Sequence, residues 1–168
     1  MKKIVIAVAL IAGGWWYFSG GRTLTEEQVR EFYAAQERAT LNRDPKALCA
    51  MLADDFETTG TVTAGGRTAP KTTQKREQVC VGYDQLYASF EKIGDKMGGI
   101  LQLDSQYDIH DIALASNKKS ATVDVSSALD VGGTIMNIRS RATETLIRRN
   151  GKTLLLRSEG TGSIGSGG

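Results

Sequence analysis

Few residues in this chain have the makings of chemistry. Cys49 and Cys80 are its two cysteines, and His110 is its one histidine, set in "DIHD" between Asp108 and Asp111. Glu144 lies in the alternating run "TIMNIRSRATETLIRRN". A nucleophilic thiol needs a base close by, and the chain offers one imidazole. A zinc site needs paired ligands, and Cys49, Cys80 and His110 are scattered without ligand-pair spacing. Three readings of the cysteines stand: one disulfide, two separate buried thiols, or a reactive or metal-bound thiol. Export from the cytoplasm favours the first.

A histidine between carboxylates is a candidate acid–base pair. Here alternation makes Ile109 and Ile112 the buried positions with a bulge between them, which points Asp108 and His110 toward solvent. Glu144 shares parity with Met136, Ile138, Ala142 and Leu146. An inward carboxylate must be paired or face a wet pocket. Tyr33, Tyr83 and Tyr87 are the candidate partners, and a pocket of Tyr33, Tyr87 and Glu144 would suit a ligand with polar and apolar parts. The alternative is that the strand twists near its end and exposes Glu144. Arg139, Arg141 and Arg149, with Arg157 on the neighbouring strand, have the outward parity, and Asp124 and Asp130 are placed to pair with them across strands. That face is either solvated or a docking surface.

Compartment is set by the N-terminus, "MKKIVIAVALIAGGWWYFSGGR". Lys2 and Lys3 precede an apolar run that ends in Trp15, Trp16, Tyr17 and Phe18. This reads as an export signal, with the following chain facing outward. The aromatic belt favours an uncleaved anchor in a bacterial inner membrane over a cleaved signal peptide. Residues 1–21 are thus the anchor or signal, 22–164 a periplasmic domain, and 165–168 a Gly/Ser tail. The whole chain carries 21 bases and 19 acids, and without Lys2 and Lys3 the charges balance. A neutral domain lacks the electrostatic footprint of nucleic-acid binding.

The elements that must position these residues are well signalled. Thr25 with Gln28 forms a capping box, Glu26 and Glu27 suit a helix start, and Leu24 with Val29 forms a hydrophobic staple. A helix follows to about Asn42, with Val29, Phe32, Tyr33, Gln36 and Ala39 on one face. Asp44 and Pro45 open a second helix, whose stripe is Leu48, Cys49, Leu52 and Phe56, with Asp54 and Asp55 at its exit. "FETTGTVTAGGRTAPKTT" reads as a small hairpin turning at Gly65-Gly66. A third helix spans roughly Lys75 to Ile93, with Val79, Tyr83, Leu86, Phe90 and Ile93 inward. Four apolar runs then follow, joined at Asn117-Lys118, Gly132-Gly133 and Asn150-Gly151, and short turns make them antiparallel.

Helix, helix, hairpin, helix and a four-stranded meander is the order of the nuclear transport factor 2-like (NTF2-like) superfamily, shared with SnoaL-like cyclases and ketosteroid isomerases. The segments "YAAQERATLNRDPKALCAMLADDF", "YDIHDIALASNKKSATVDVSS" and "RATETLIRRNGKTLLLRSEG" resemble its opening helices, its third-strand turn and its last hairpin. In that hairpin Thr153 and Leu154 stand where many relatives place Trp. The resemblance implies an α+β cone, three N-terminal helices packed on a curved antiparallel sheet, here behind one N-terminal membrane helix. It also implies a pocket at the cone's open end. No catalytic residue set carries over, and neither metal nor cofactor is called for. A Cys49–Cys80 bridge would join the second helix to the start of the third. The expected function is a membrane-tethered, non-catalytic module that binds a protein partner, a small ligand, or a second copy of itself. An isomerase- or cyclase-type pocket enzyme and a structural subunit of an envelope or secretion assembly are the alternatives.

Overall fold

The computed structural model describes residues 21–99, 101–133 and 135–165. The expected N-terminal membrane segment and C-terminal tail lie almost entirely outside these residues. Among the described residues no helix is long and apolar enough to cross a membrane.

Helix α1 (Glu26–Leu41) begins as its cap dictates. The Thr25 hydroxyl accepts the Gln28 N–H, and the Gln28 side chain accepts the Thr25 N–H in return. Its inward face buries Val29, Phe32, Tyr33 and Ala39. Helix α2 (Pro45–Ala50) is capped by the Asp44 carboxylate on the Ala47 N–H at 2.9 Å.

The chain then departs from expectation. The second helix does not run to Phe56. Leu52–Ala64 is one 13-residue strand, β1, and Phe56 is buried on it, with Asp54 and Asp55 beside it. The Met51 carbonyl accepts the Leu155 N–H at 2.9 Å, which starts pairing immediately after the helix. The β-branched Thr and Val residues that follow suit a strand better than a helix. The expected hairpin is present and turns at Gly65-Gly66, but its first strand is the far part of β1, onto which β2 (Arg67–Thr68) and β3 (Thr72–Lys75) fold back antiparallel.

Helix α3 (Arg76–Lys96) follows at once, with the Gln78 side chain accepting the Lys75 N–H. It runs past the expected end at Ile93. Gly94 lies inside it and is buried, and a Cβ there would come within 2.6 Å of the Gly99 carbonyl. The inward face turns accordingly toward Tyr87 and Phe90, and Ile93 is left 38% exposed.

The four predicted strands are present as β4 (Leu103–Leu114), β5 (Ser120–Val131), β6 (Met136–Arg149) and β7 (Lys152–Gly165), each antiparallel to the next. The sheet as a whole is not antiparallel. It has seven strands in the order β2-β1-β7-β6-β5-β4, and β1 runs parallel to β7. Parallel neighbours require a crossover, and here everything from β2 to β6 lies between them in sequence. Two apolar clusters fill the space between helices and sheet. One gathers Phe32, Tyr33, Phe56, Val123 and Leu146, and the other Leu48, Tyr87, Phe90, Leu101 and Val131. A disulfide joins Cys49 of α2 to Cys80 of α3.

Candidate functional site

Strand register sets the site. Partners across a ladder share a face, and faces alternate along each strand. Three successive rows therefore face the helices' side of the sheet. The first row is Thr58, Ser158, Glu144 and Val123; the second Gly60, Gly160, Ala142 and Val125; the third Val62, Gly162, Ser140 and Ser127. On β5 the first two rows end in Val123 and Val125, both buried in the core. On β1, β7 and β6 the same two rows hold, apart from Glu144, only glycine, alanine, serine and threonine. Small side chains leave space, and a cleft of about 330 Å³ opens there. Val62, Ile138 and Ile164 give it apolar walls, and Thr72 and Gln74 of β3 close one side.

Glycine is required in the second row. A Cβ on Gly60 would stand 2.5 Å from the Gly160 carbonyl, and one on Gly160 would run into the Arg141 carbonyl and Ala142. Gly162 differs, because a Cβ there would meet nothing closer than 3.8 Å.

Glu144 closes the inner end of the cleft. Its two oxygens are held separately. The Tyr33 hydroxyl donates to one at 2.7 Å, and the Ser158 hydroxyl donates to the other at 3.2 Å. Loss of water raises the Glu144 pKa above the ordinary carboxylate range, and the two hydrogen bonds pull part of that rise back. Tyr33 is buried, its ring edge-on to Phe32 at 5.4 Å and tilted against Tyr107 at 5.7 Å. Burial and the adjacent Glu144 charge raise its pKa. The same two causes push Tyr83 up to about 12. Burial likewise raises Tyr107. All three phenols therefore stay protonated at neutral pH, and Tyr33 is the one seen donating to Glu144. Ionised, Glu144 accepts; protonated, it can also donate into the cleft. The site can accordingly fix either a hydroxyl or a carbonyl.

Of the sequence-derived candidates, the fold brings Tyr33, Tyr83 and Glu144 together. Tyr87 stands apart, in the other cluster, with its hydroxyl donated to the Thr40 carbonyl at 3.4 Å. Tyr107 and Ser158 were not among those candidates. Tyr107 shares inward parity with Ile109, a signal present in the sequence. Ser158 has none, because its role depends on the register of β6 against β7. His110 is exposed, its Nε2 2.7 Å from the Ser126 hydroxyl, and the register shifts between Ile109 and Asp111 as the spacing predicted. Asp130 pairs with Arg139 at 2.8 Å and Asp124 with Arg141 at 2.9 Å on the outer face. Asp55 and Glu57 pair there with Arg149 and Arg157. Among the described residues no group of three or more His, Cys, Asp or Glu side chains could hold a metal ion.

The architecture is that of the NTF2-like fold. The chain is similar to an NTF-2 like protein of unknown function from Shewanella oneidensis, with a TM-score of 0.56 and 14% identity over 81% of this chain and 98% of that one. It is similar to a ketosteroid isomerase-like protein from Erwinia carotovora, with a TM-score of 0.52 and 15% identity over 81% of this chain and 94% of that one. A conserved protein from Planctomyces limnophilus matches with a TM-score of 0.55 and 15% identity, over 82% of this chain and 94% of that one. No protein-family model and no curated protein matches the sequence. Identities this low speak for the fold and leave the activity to the site.

Proposed function

We propose that the chain is a membrane-tethered, periplasm-facing binding module. Its cleft takes a small, mainly apolar molecule and fixes one hydroxyl or carbonyl of it on Glu144. The observation that carries this reading is the Glu144 carboxyl, held by Tyr33 and Ser158 at the inner end of the cleft of about 330 Å³. That volume lies at the lower end of the roughly 300–1,000 Å³ usual for small-molecule sites, which are apolar with a few placed polar groups. The apolar N-terminal run and the Cys49–Cys80 disulfide support the compartment.

Native mass spectrometry of the purified full chain tests the reading. The wild type should retain a small molecule that Gly162→Leu, which fills the cleft from an open position, does not. Equal occupancy in both would overturn it.

A second reading has one observation in its favour. A carboxyl of raised pKa beside a phenol donor is the equipment of an enzyme that moves a proton next to a carbonyl. Turnover of the retained molecule by the wild type but not by Glu144→Gln would select it.

A further inference from the structure

Three segments meet where the described chain begins. The Gly151 N–H donates to the Gly21 carbonyl at 3.0 Å, the Leu24 N–H to the Lys118 carbonyl at 2.6 Å, and the Arg148 N–H to the Lys119 carbonyl at 3.1 Å. Residues 21–24 are thereby pinned between the β4–β5 and β6–β7 turns. The same three segments carry Arg22, Lys118, Lys119, Arg148, Arg149 and Lys152. Lys118, Lys119, Arg149 and Lys152 are exposed. A second cavity of about 330 Å³ opens among Arg22, Lys119, Arg148, Arg149 and Asn150. Asp55 offsets one charge through its 2.6 Å pair with Arg149, Asp54 also acts on that guanidinium, and Glu26 and Glu27 open the helix that follows residues 21–24. Arg148 uses one guanidinium nitrogen on the Thr153 hydroxyl at 2.8 Å. Its Nε is buried with no hydrogen-bond partner among the described residues. Elsewhere on the sheet Arg139, Arg141 and Arg157 are each paired with an acid, and this end of an otherwise balanced domain gathers six basic side chains.

The chain that leads into that end is aromatic. The apolar run closes with Trp15, Trp16, Tyr17 and Phe18, three positions before Gly21. Aromatic residues in that position belong at a membrane–water interface. Three residues of extended chain reach roughly 10 Å. That is about one Debye length at physiological salt.

We infer that these two turns form a cationic collar that sits on the phosphate headgroups of an anionic phospholipid bilayer. The inference rests on the proposed membrane tether. Basic residues held this close to an anionic surface each add to attraction, and the effect fades with salt. The collar also fixes orientation. Gly162 and Ile138 lie about ten residues along β7 and β6 from the β6–β7 turn, roughly 30 Å at the rise of a strand. The cleft therefore opens away from the bilayer.

The test uses the full chain in vesicles. Because the chain's two cysteines are bonded to each other, a thiol introduced by Ser116→Cys takes a single dye. Energy transfer from that dye to headgroup-labelled lipid reports the distance between collar and bilayer, and Ser163→Cys serves as the remote control. Transfer from position 116 should be higher in vesicles containing phosphatidylglycerol than in pure phosphatidylcholine. The excess should vanish in Lys118→Gln/Lys119→Gln/Lys152→Gln and at high salt, while transfer from position 163 stays low throughout. Equal transfer in the two lipids, or an excess that survives the triple substitution, would overturn the collar. Flotation with pure phosphatidylcholine vesicles reads the tether separately. Should the wild type fail to float there, the tether is wrong, and flotation with phosphatidylglycerol vesicles, lost in the triple variant, still decides the collar.

Discussion

Glu144 is the residue on which the proposed site turns, and its titration is measurable without knowing any ligand. Its folded pKa lies above the ordinary value of 4.5. Between those two values the folded chain keeps a proton that the unfolded chain has lost. The stability from this group is therefore full below the ordinary value and is lost as pH rises through the folded one. Asp55 and Asp124 are shifted the other way by their arginine partners, so their contribution is lost only as pH falls into the acid range. Glu144→Gln should remove the decline above pH 4.5 and flatten that part of a melting-temperature profile; an unchanged decline would assign it to another group. Tyr33→Phe leaves one carboxylate oxygen without its donor. It should cost about 1–3 kcal/mol in urea unfolding and move the decline to higher pH. Half of this arrangement was legible in the sequence. Alternation offered Glu144 an inward position, with exposure at the twisted strand end as the alternative, and chemistry nominated the tyrosines. That Tyr33, 111 residues away, makes the bond while Tyr87 does not depends on helix rotation and strand register, which no local pattern encodes.

At the scale of elements, the long insertion between α2 and α3 is held at both ends by Cys49–Cys80. The 31-residue separation gives roughly 3–4 kcal/mol in a chain-entropy account. Replacing both cysteines by serine should lower unfolding free energy by about that amount, and labelling of the denatured, unreduced chain should find no free thiol. The sheet supplies a sharper contrast between neighbouring glycines. Gly160→Val forces a side chain into the β6 backbone and should destabilise by at least the 1–3 kcal/mol typical of overpacking. Gly162→Leu enters open cleft and should fold with little change in melting temperature. Similar losses for both would mean that the cleft is not open at Gly162. Helix starts and the β4–β7 meander were readable because caps, turns and alternation are local. Strand β1 was not. Its run of Thr, Gly and Val has no clean alternation, and its strand character comes from pairing with β7 about 100 residues later. The missed parallel pair is also what completes the cleft.

For the whole molecule, one sheet serves two ends. Its glycine-floored rows open a cleft with an acid at the bottom, and its turns at the opposite end carry the cationic collar. Under the proposed tether and collar, the cleft would face the periplasm, where a ligand could enter without leaving the aqueous phase. The most direct measurement is a fluorescence titration of the full chain with 1-naphthol, a compact apolar ring with one hydroxyl to donate. The wild type should bind it saturably, Glu144→Gln should weaken it by about tenfold, the worth of one hydrogen bond to a charged group, and Gly162→Leu should abolish it. Binding that is unchanged in both variants, or no binding to the wild type at all, would contradict the account.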